Sequence, residues 1–139
     1  MFQMGRQYRR VLVAGLLSGL FATACGGPPE FVFTLPMPDG AVSSFVASTS
    51  NPDVLGAARE ELSRPEGDRR LYILGPIAEG DGGYNTDWDW HFIPGEWQLT
   101  DTSMDLCDAD PQFIEDALQD WIKKIGRYCP KGARLVAER

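Results

Sequence analysis

The stretch ending at Ala24 constrains this chain most, because it takes the first 24 residues out of the fold. Arg6, Arg9 and Arg10 form a basic head, Val11 to Phe21 an apolar core, and Ala22-Thr23-Ala24 a small-residue exit. That is the layout of a secretory signal peptide. The apolar run reaches about 14 residues, short of the ~20 that a spanning helix needs. The remaining 115 residues are expected to fold as one domain in an oxidising compartment.

Cys25 follows the small residues directly, so the junction resembles a bacterial lipobox, in which that cysteine is diacylated and becomes the new N-terminus. Ala22 stands where leucine is usual, and Leu20 lies two residues further back. Ordinary cleavage after Ala24 also fits and would leave the protein secreted or periplasmic. Cysteine parity bears on the choice. The chain has three cysteines, and lipidation of Cys25 leaves Cys107 and Cys129 to pair, with no leftover thiol. Three acyl chains make a stable anchor, and Gly26 after the cysteine favours outer-membrane delivery. The expected organisation is a leader over 1–24, a lipidated cysteine and Gly/Pro tether over 25–30, and one domain over 31–139.

The leader removes three arginines and no acids, leaving 10 basic and 20 acidic residues and a net charge of −10. Such a body repels nucleic acid and anionic lipid, so the only membrane contact expected is through the anchor. No cofactor is expected. The Gly80–Gly83 run is preceded by Glu79, interrupted by Asp81 and followed by no lysine, unlike a phosphate loop. Asp105, Asp108 and Asp110 lack the glycine and terminal glutamate of a calcium loop, and Asp110 is better placed as a helix cap.

Alternation predicts strands at Phe31–Leu35, Ala41–Ser48, Arg70–Ile77, Asp87–Ile93, Trp97–Leu99, Ser103–Cys107 and Leu135–Ala137. Asn51-Pro52-Asp53 opens a helix whose apolar stripe is Val54, Leu55, Ala58 and Leu62. Asp110-Pro111 opens a second, with Phe113, Ile114, Ala117, Leu118, Trp121, Ile122 and Ile125 along one face, ended by Gly126. The expected class is α+β, an antiparallel sheet with two helices packed on one face and one disulfide.

The densest group of functional side chains is Tyr84-Asn85-Thr86-Asp87-Trp88-Asp89-Trp90-His91-Phe92. On a strand, Asp87, Asp89 and His91 share one face, a spacing suited to a divalent cation or to acid–base work. The other reading is a half-exposed strand, aromatic inside and polar outside. His91 is the one histidine, so multi-histidine zinc sites are excluded. No nucleophile elbow is present. Trp88 beside Tyr84 offers an aromatic platform for a glycan or peptide if it is exposed.

Ala57-Ala58-Arg59, Ile73-Leu74-Gly75-Pro76-Ile77, Tyr84-Asn85, Trp88, Trp90-His91, Pro94, Leu106-Cys107-Asp108 and Cys129-Pro130 recur in this order in the BP seventy-four N-terminal-domain-like family. The chain resembles that family over nearly all of residues 31–137. The resemblance implies a compact, disulfide-containing domain and no settled activity. It implies Tyr84, Asn85 and His91 as the polar residues of any shared site, or else Asn85 holding a turn and His91 donating to a buried carbonyl. Asp87 and Asp89 stand where the family has small or polar residues, and Lys131 where it has an aromatic.

Two functions are therefore expected to compete. One is a lipid-anchored binding or inhibitory module of the cell envelope, using Tyr84, Asn85, Trp88 and His91 on an envelope protein or glycan. The other is a small hydrolase or metal-assisted enzyme using His91 with Asp87 or Asp89. Catalysis by this chain is left open.

Overall fold

A computed structural model describes residues 26–102 and 104–139; Cys25 and the leader lie outside the described residues. In chain order the elements are β1 (Glu30–Pro36), β2 (Val42–Ser48), α1 (Pro52–Ser63), β3 (Tyr72–Glu79), β4 (Trp90–Phe92) and β5 (Gln98–Thr100). They continue with α2 (Pro111–Asp116), α3 (Leu118–Lys124), β6 (Arg127–Tyr128) and β7 (Arg134–Glu138). The class is antiparallel α+β, with the expected Cys107–Cys129 disulfide.

The strands divide into two sheets rather than one. In the first, β1 runs between β2 and β7; in the second, β3 is a spine along which β4, β5 and β6 pair with successive stretches. An aromatic core lies between them. Phe33 faces Phe45 across the β1–β2 ladder and stacks on it at 5.3 Å, while Phe45 meets Trp90 and Phe92 of the other sheet. Close packing here depends on Gly75, where a Cβ would sit 2.6 Å from the Trp97 Cβ. Offset and edge-on contacts of this kind add ~1 kcal/mol each beyond the area they bury.

Helix α1 begins as its sequence dictates. The Asn51 side chain accepts from the Asp53 N–H at 3.0 Å, and Pro52 sits where no amide donor is needed. Its buried face carries Val54 and Ala58 but also Glu61, only 2% exposed. That carboxylate accepts from the Arg70 and Leu71 N–H groups at 2.7 and 3.0 Å, which fixes the approach to β3.

Further expectations change. The strand foreseen over Asp87–Ile93 shrinks to Trp90–Phe92, because residues 82–89 are spent in turns and bends. The strand foreseen over Ser103–Cys107 is replaced by a 3₁₀ turn at Asp105–Cys107, tied down by the disulfide and by the Cys129 N–H to Cys107 carbonyl bond of 2.8 Å; Ser103 is outside the described residues. The second helix is interrupted at Ala117, which leaves helical geometry at φ −117° and ψ 23°. Phe113, expected on its inner face, is 53% exposed.

The two ends of the domain meet. The Arg139 N–H donates to the Glu30 carbonyl at 2.9 Å, and the Arg139 guanidinium to the Glu30 carboxylate at 2.9 Å. Residues 26–29 therefore lead into the end of β1 where the C-terminus is bonded. Residues 36–38 lie at the opposite end, roughly 20 Å away for a strand of this length at ~3.3 Å per residue.

Candidate functional site

Tyr84, Asn85 and Trp88 lie in the segment that joins β3 to β4, and His91 lies in β4; Tyr84 meets His91, whereas Trp88 packs on Trp90. Tyr84, Asn85, Trp88 and His91 are each bound to backbone. The amide of Asn85, 2% exposed, accepts from the Val46 N–H at 2.9 Å and donates to the Trp90 carbonyl at 2.7 Å. The Trp88 indole N–H donates to the Ser44 carbonyl at 2.8 Å, and that of Trp97 to the Ser48 carbonyl at 2.8 Å. Ser44, Val46 and Ser48 are alternate residues of β2, the strand at the margin of the first sheet. Three side chains from 85–97 thus occupy groups that a neighbouring strand would otherwise take. They join the margin of one sheet to the other.

Tyr84 is buried and its hydroxyl donates to the Phe92 carbonyl at 2.8 Å. Burial first, and the Glu30 charge second, push its pKa up to about 12. His91 Nδ1 lies 2.7 Å from the Gly80 carbonyl. A carbonyl only accepts, so Nδ1 carries a proton and donates it to this bond. The His91 and Tyr84 rings meet edge to face at 5.9 Å. Gly82, at φ +65°, closes the loop over them; a Cβ there would lie 2.9 Å from the imidazole.

The carboxylates expected beside His91 are elsewhere. Asp87 and Asp89 are exposed and precede β4, so strand alternation does not carry them to the imidazole's face. The Asp89 backbone is committed instead, its N–H to the Glu115 carboxylate at 3.0 Å and its carbonyl to the Gly80 N–H at 2.6 Å. Among the described residues, no three His, Cys, Asp or Glu side chains gather as a metal-binding group. The pairing of His91 with Asp87 or Asp89 is not formed.

A solvent-open hollow lies instead beside the 3₁₀ turn and the first turn of α2. A cleft of about 440 Å³ is lined by Leu106, Phe113 and Trp121, with Asp105, Asp108 and Asp110 around it. Leu106 is 81% exposed. It sits on the 3₁₀ turn beside Cys107, so the bridge holds it outward. Trp121 is buried along most of its ring, meets Phe113 edge to face at 5.9 Å and donates to the Arg127 carbonyl at 2.8 Å. The Tyr128 hydroxyl donates to the Ala109 carbonyl at 2.8 Å, anchoring the cleft's floor to β6.

Each rim carboxylate already has one partner. Asp110 caps α2 through the Phe113 N–H at 2.8 Å, Asp108 accepts from the Lys131 N–H at 3.1 Å, and Asp105 pairs with the Lys131 ammonium. The hydrogen bond and charge of that ammonium hold the Asp105 carboxyl below its ordinary range, and Asp105 raises Lys131 in return. Three carboxylates against one ammonium leave the rim acidic. Leu106 and Phe113 were not singled out from sequence as surface residues. The signal was Asp105-Leu106-Cys107-Asp108-Ala109-Asp110, in which apolar residues alternate with acids too closely for all of them to face a core.

Fold and site together describe a small disulfide-closed α+β domain, fastened by tryptophan and asparagine side chains and carrying an acid-rimmed cleft. The family described as the BP seventy-four N-terminal domain matches residues 30–139, and the chain belongs to it. No curated protein and no solved structure matched the chain.

Proposed function

We propose that this chain is a lipid-anchored domain of the cell envelope, held through Cys25 and binding a partner through the cleft between Leu106 and Phe113. The observation that carries the reading is the cleft's position. Glu30, where the tether enters, is bonded to Arg139 at one end of β1, and the cleft adjoins the loop at the other. An anchor at one end and an exposed apolar surface at the other suit a module that reaches away from the bilayer. The disulfide agrees with an oxidising compartment. The Gly26 signal makes the outer membrane the expected address, with a secreted or periplasmic protein as the outcome if Cys25 is not acylated.

No helix among the described residues is long and apolar enough to cross a membrane, so attachment in this reading rests on the acyl chains. Cys25→Ser in the full chain is expected to move the protein from the membrane pellet to the soluble fraction and to abolish incorporation of labelled palmitate. Unchanged sedimentation would remove the anchor. An envelope pull-down comparing the parent with a Leu106→Ser, Phe113→Ser double variant tests the surface; identical captures would remove the cleft from the account.

A further inference from the structure

The cleft is one half of a longer feature. Its ridge, Asp108 to Asp110, also bounds a second hollow of about 270 Å³, walled by Leu35, Pro36, Met37, Pro38 and Gly132. An occupant of both hollows must be elongated and lie astride the ridge. We propose that this double hollow takes an extended segment of a partner protein in which basic side chains stand beside apolar ones. The proposal rests on the binding reading above and names the class of segment that the site reads.

Charge and apolarity are set side by side here. Leu106 and Phe113 are 81% and 53% exposed, and the turn bearing Leu106 is tethered by the Cys107–Cys129 bridge. A side chain already held in place loses little conformational freedom on binding. Asp108 and Asp110 each use one carboxylate oxygen to accept a backbone N–H, which leaves the other for an incoming ammonium or guanidinium. Lys131 is the cation bonded to this rim, through its ammonium to Asp105 and its backbone to Asp108. The surplus acid, on a body of net charge −10, repels phosphates and anionic headgroups and draws in basic segments. The apolar walls then require a neighbouring aliphatic or aromatic side chain to complete the contact.

The test uses the full chain in zwitterionic detergent and three labelled peptides of equal length, alternating Lys with Leu, Gln with Leu, and Lys with Gln. Fluorescence anisotropy is expected to show tight, salt-sensitive binding of the Lys–Leu peptide alone. Leu106→Ser with Phe113→Ser, and separately Asp105→Asn with Asp108→Asn, are each expected to weaken it ~10-fold or more. Glu60→Gln with Glu79→Gln, exposed acids outside the cleft, should leave it unchanged. Circular dichroism confirms that every variant remains folded. Equal binding of the Gln–Leu peptide would overturn the basic specificity while leaving a binding cleft in place. Equal weakening by the Glu60 and Glu79 control, full retention by the Leu106 and Phe113 variant, or no binding of any peptide would each overturn the proposal. In the last case the pull-down above still judges the cleft independently.

Discussion

The segment from Gly80 to His91 and the cleft from Asp105 to Trp121 are built of similar side chains, aromatics interleaved with aspartates, and the fold uses them in opposite ways. In the first, Tyr84, Asn85, Trp88 and His91 each bind a backbone group, and their bonds run inward to β2, β4 and the loop itself. In the second, Leu106 and the outer half of Phe113 face solvent, and Asp108 and Asp110 each accept a backbone N–H through one carboxylate oxygen, leaving the other to a partner. A dense run of polar and aromatic residues here serves the fold itself. Where such a run closes a gap between two sheets, most of its buried polar groups turn to backbone partners, although the Trp90 indole N–H is buried without one. Residues left apolar and exposed, on a turn locked by a covalent bridge, are the better pointer.

Substitutions at the two ends should separate stability from binding. Asn85→Ala is expected to have the largest effect on stability. It deletes two buried hydrogen bonds and strands the Val46 N–H and the Trp90 carbonyl, at ~1–3 kcal/mol for each group left unpaired. A loss of about 4 kcal/mol in urea unfolding, with unchanged slope, is the expected result. The Leu106→Ser, Phe113→Ser variant should lose only about 1 kcal/mol, the value of the Phe113 edge contact with Trp121, since Leu106 stands in solvent and Phe113 packs on the core through that contact alone. If Asn85→Ala unfolds no more readily than the cleft variant, Asn85 does not close the gap between the sheets.

The disulfide comes next, and it sharpens the comparison because it serves both ends unequally. Cys107 and Cys129 close a loop with a sequence separation of 22 residues, worth ~3 kcal/mol by restriction of the unfolded chain. Cys107→Ser with Cys129→Ser should lower stability by about that amount. Hydrogen exchange should quicken most at residues 104–109, whose backbone is tied to the bridge, and least at 84–92, whose bonds do not involve it. Uniform quickening across both segments would show that the bridge acts on the whole domain and not on the cleft.

Much of the fold was legible in sequence because the relevant signals are local. Period-two alternation marks Phe31, Phe33 and Leu35, and the Asn51-Pro52 cap marks the start of α1. Cysteine parity indicated the bridge. The shortening of β4 was not legible, because Asp87-Trp88-Asp89-Trp90 alternates whether or not a strand is present. Only the partners of Asn85, 39 residues away at Val46 and 5 away at Trp90, turn that stretch into a fastener. Likewise no proline or glycine marks Ala117, so periodicity alone ran α2 and α3 together. At the site, Tyr84, Asn85, Trp88 and His91 were readable as a group, but whether their polar atoms face inward depends on long-range pairing. The exposure of Leu106 was foreshadowed by its acidic neighbours, and that of Phe113 was masked by its place on a helical stripe.

The smallest effect is the most specific to the closed end. Tyr84→Phe removes one buried hydroxyl-to-carbonyl bond, for about 1 kcal/mol at neutral pH. It also removes a titration. The folded chain holds the Tyr84 proton until about pH 12, whereas the unfolded chain releases it near the ordinary value of 10.0. Within that window the unfolded state binds fewer protons than the folded one, so stability falls as pH rises. The contribution is complete below pH 10 and is lost as pH climbs through about 12. Tyr128, also raised by burial, gives a similar slope that persists in the variant. Alkaline denaturation curves should therefore fall in both proteins, and less steeply in Tyr84→Phe. Parallel curves would mean that the Tyr84 hydroxyl meets solvent, and with it that the Gly80–His91 segment is open rather than closed.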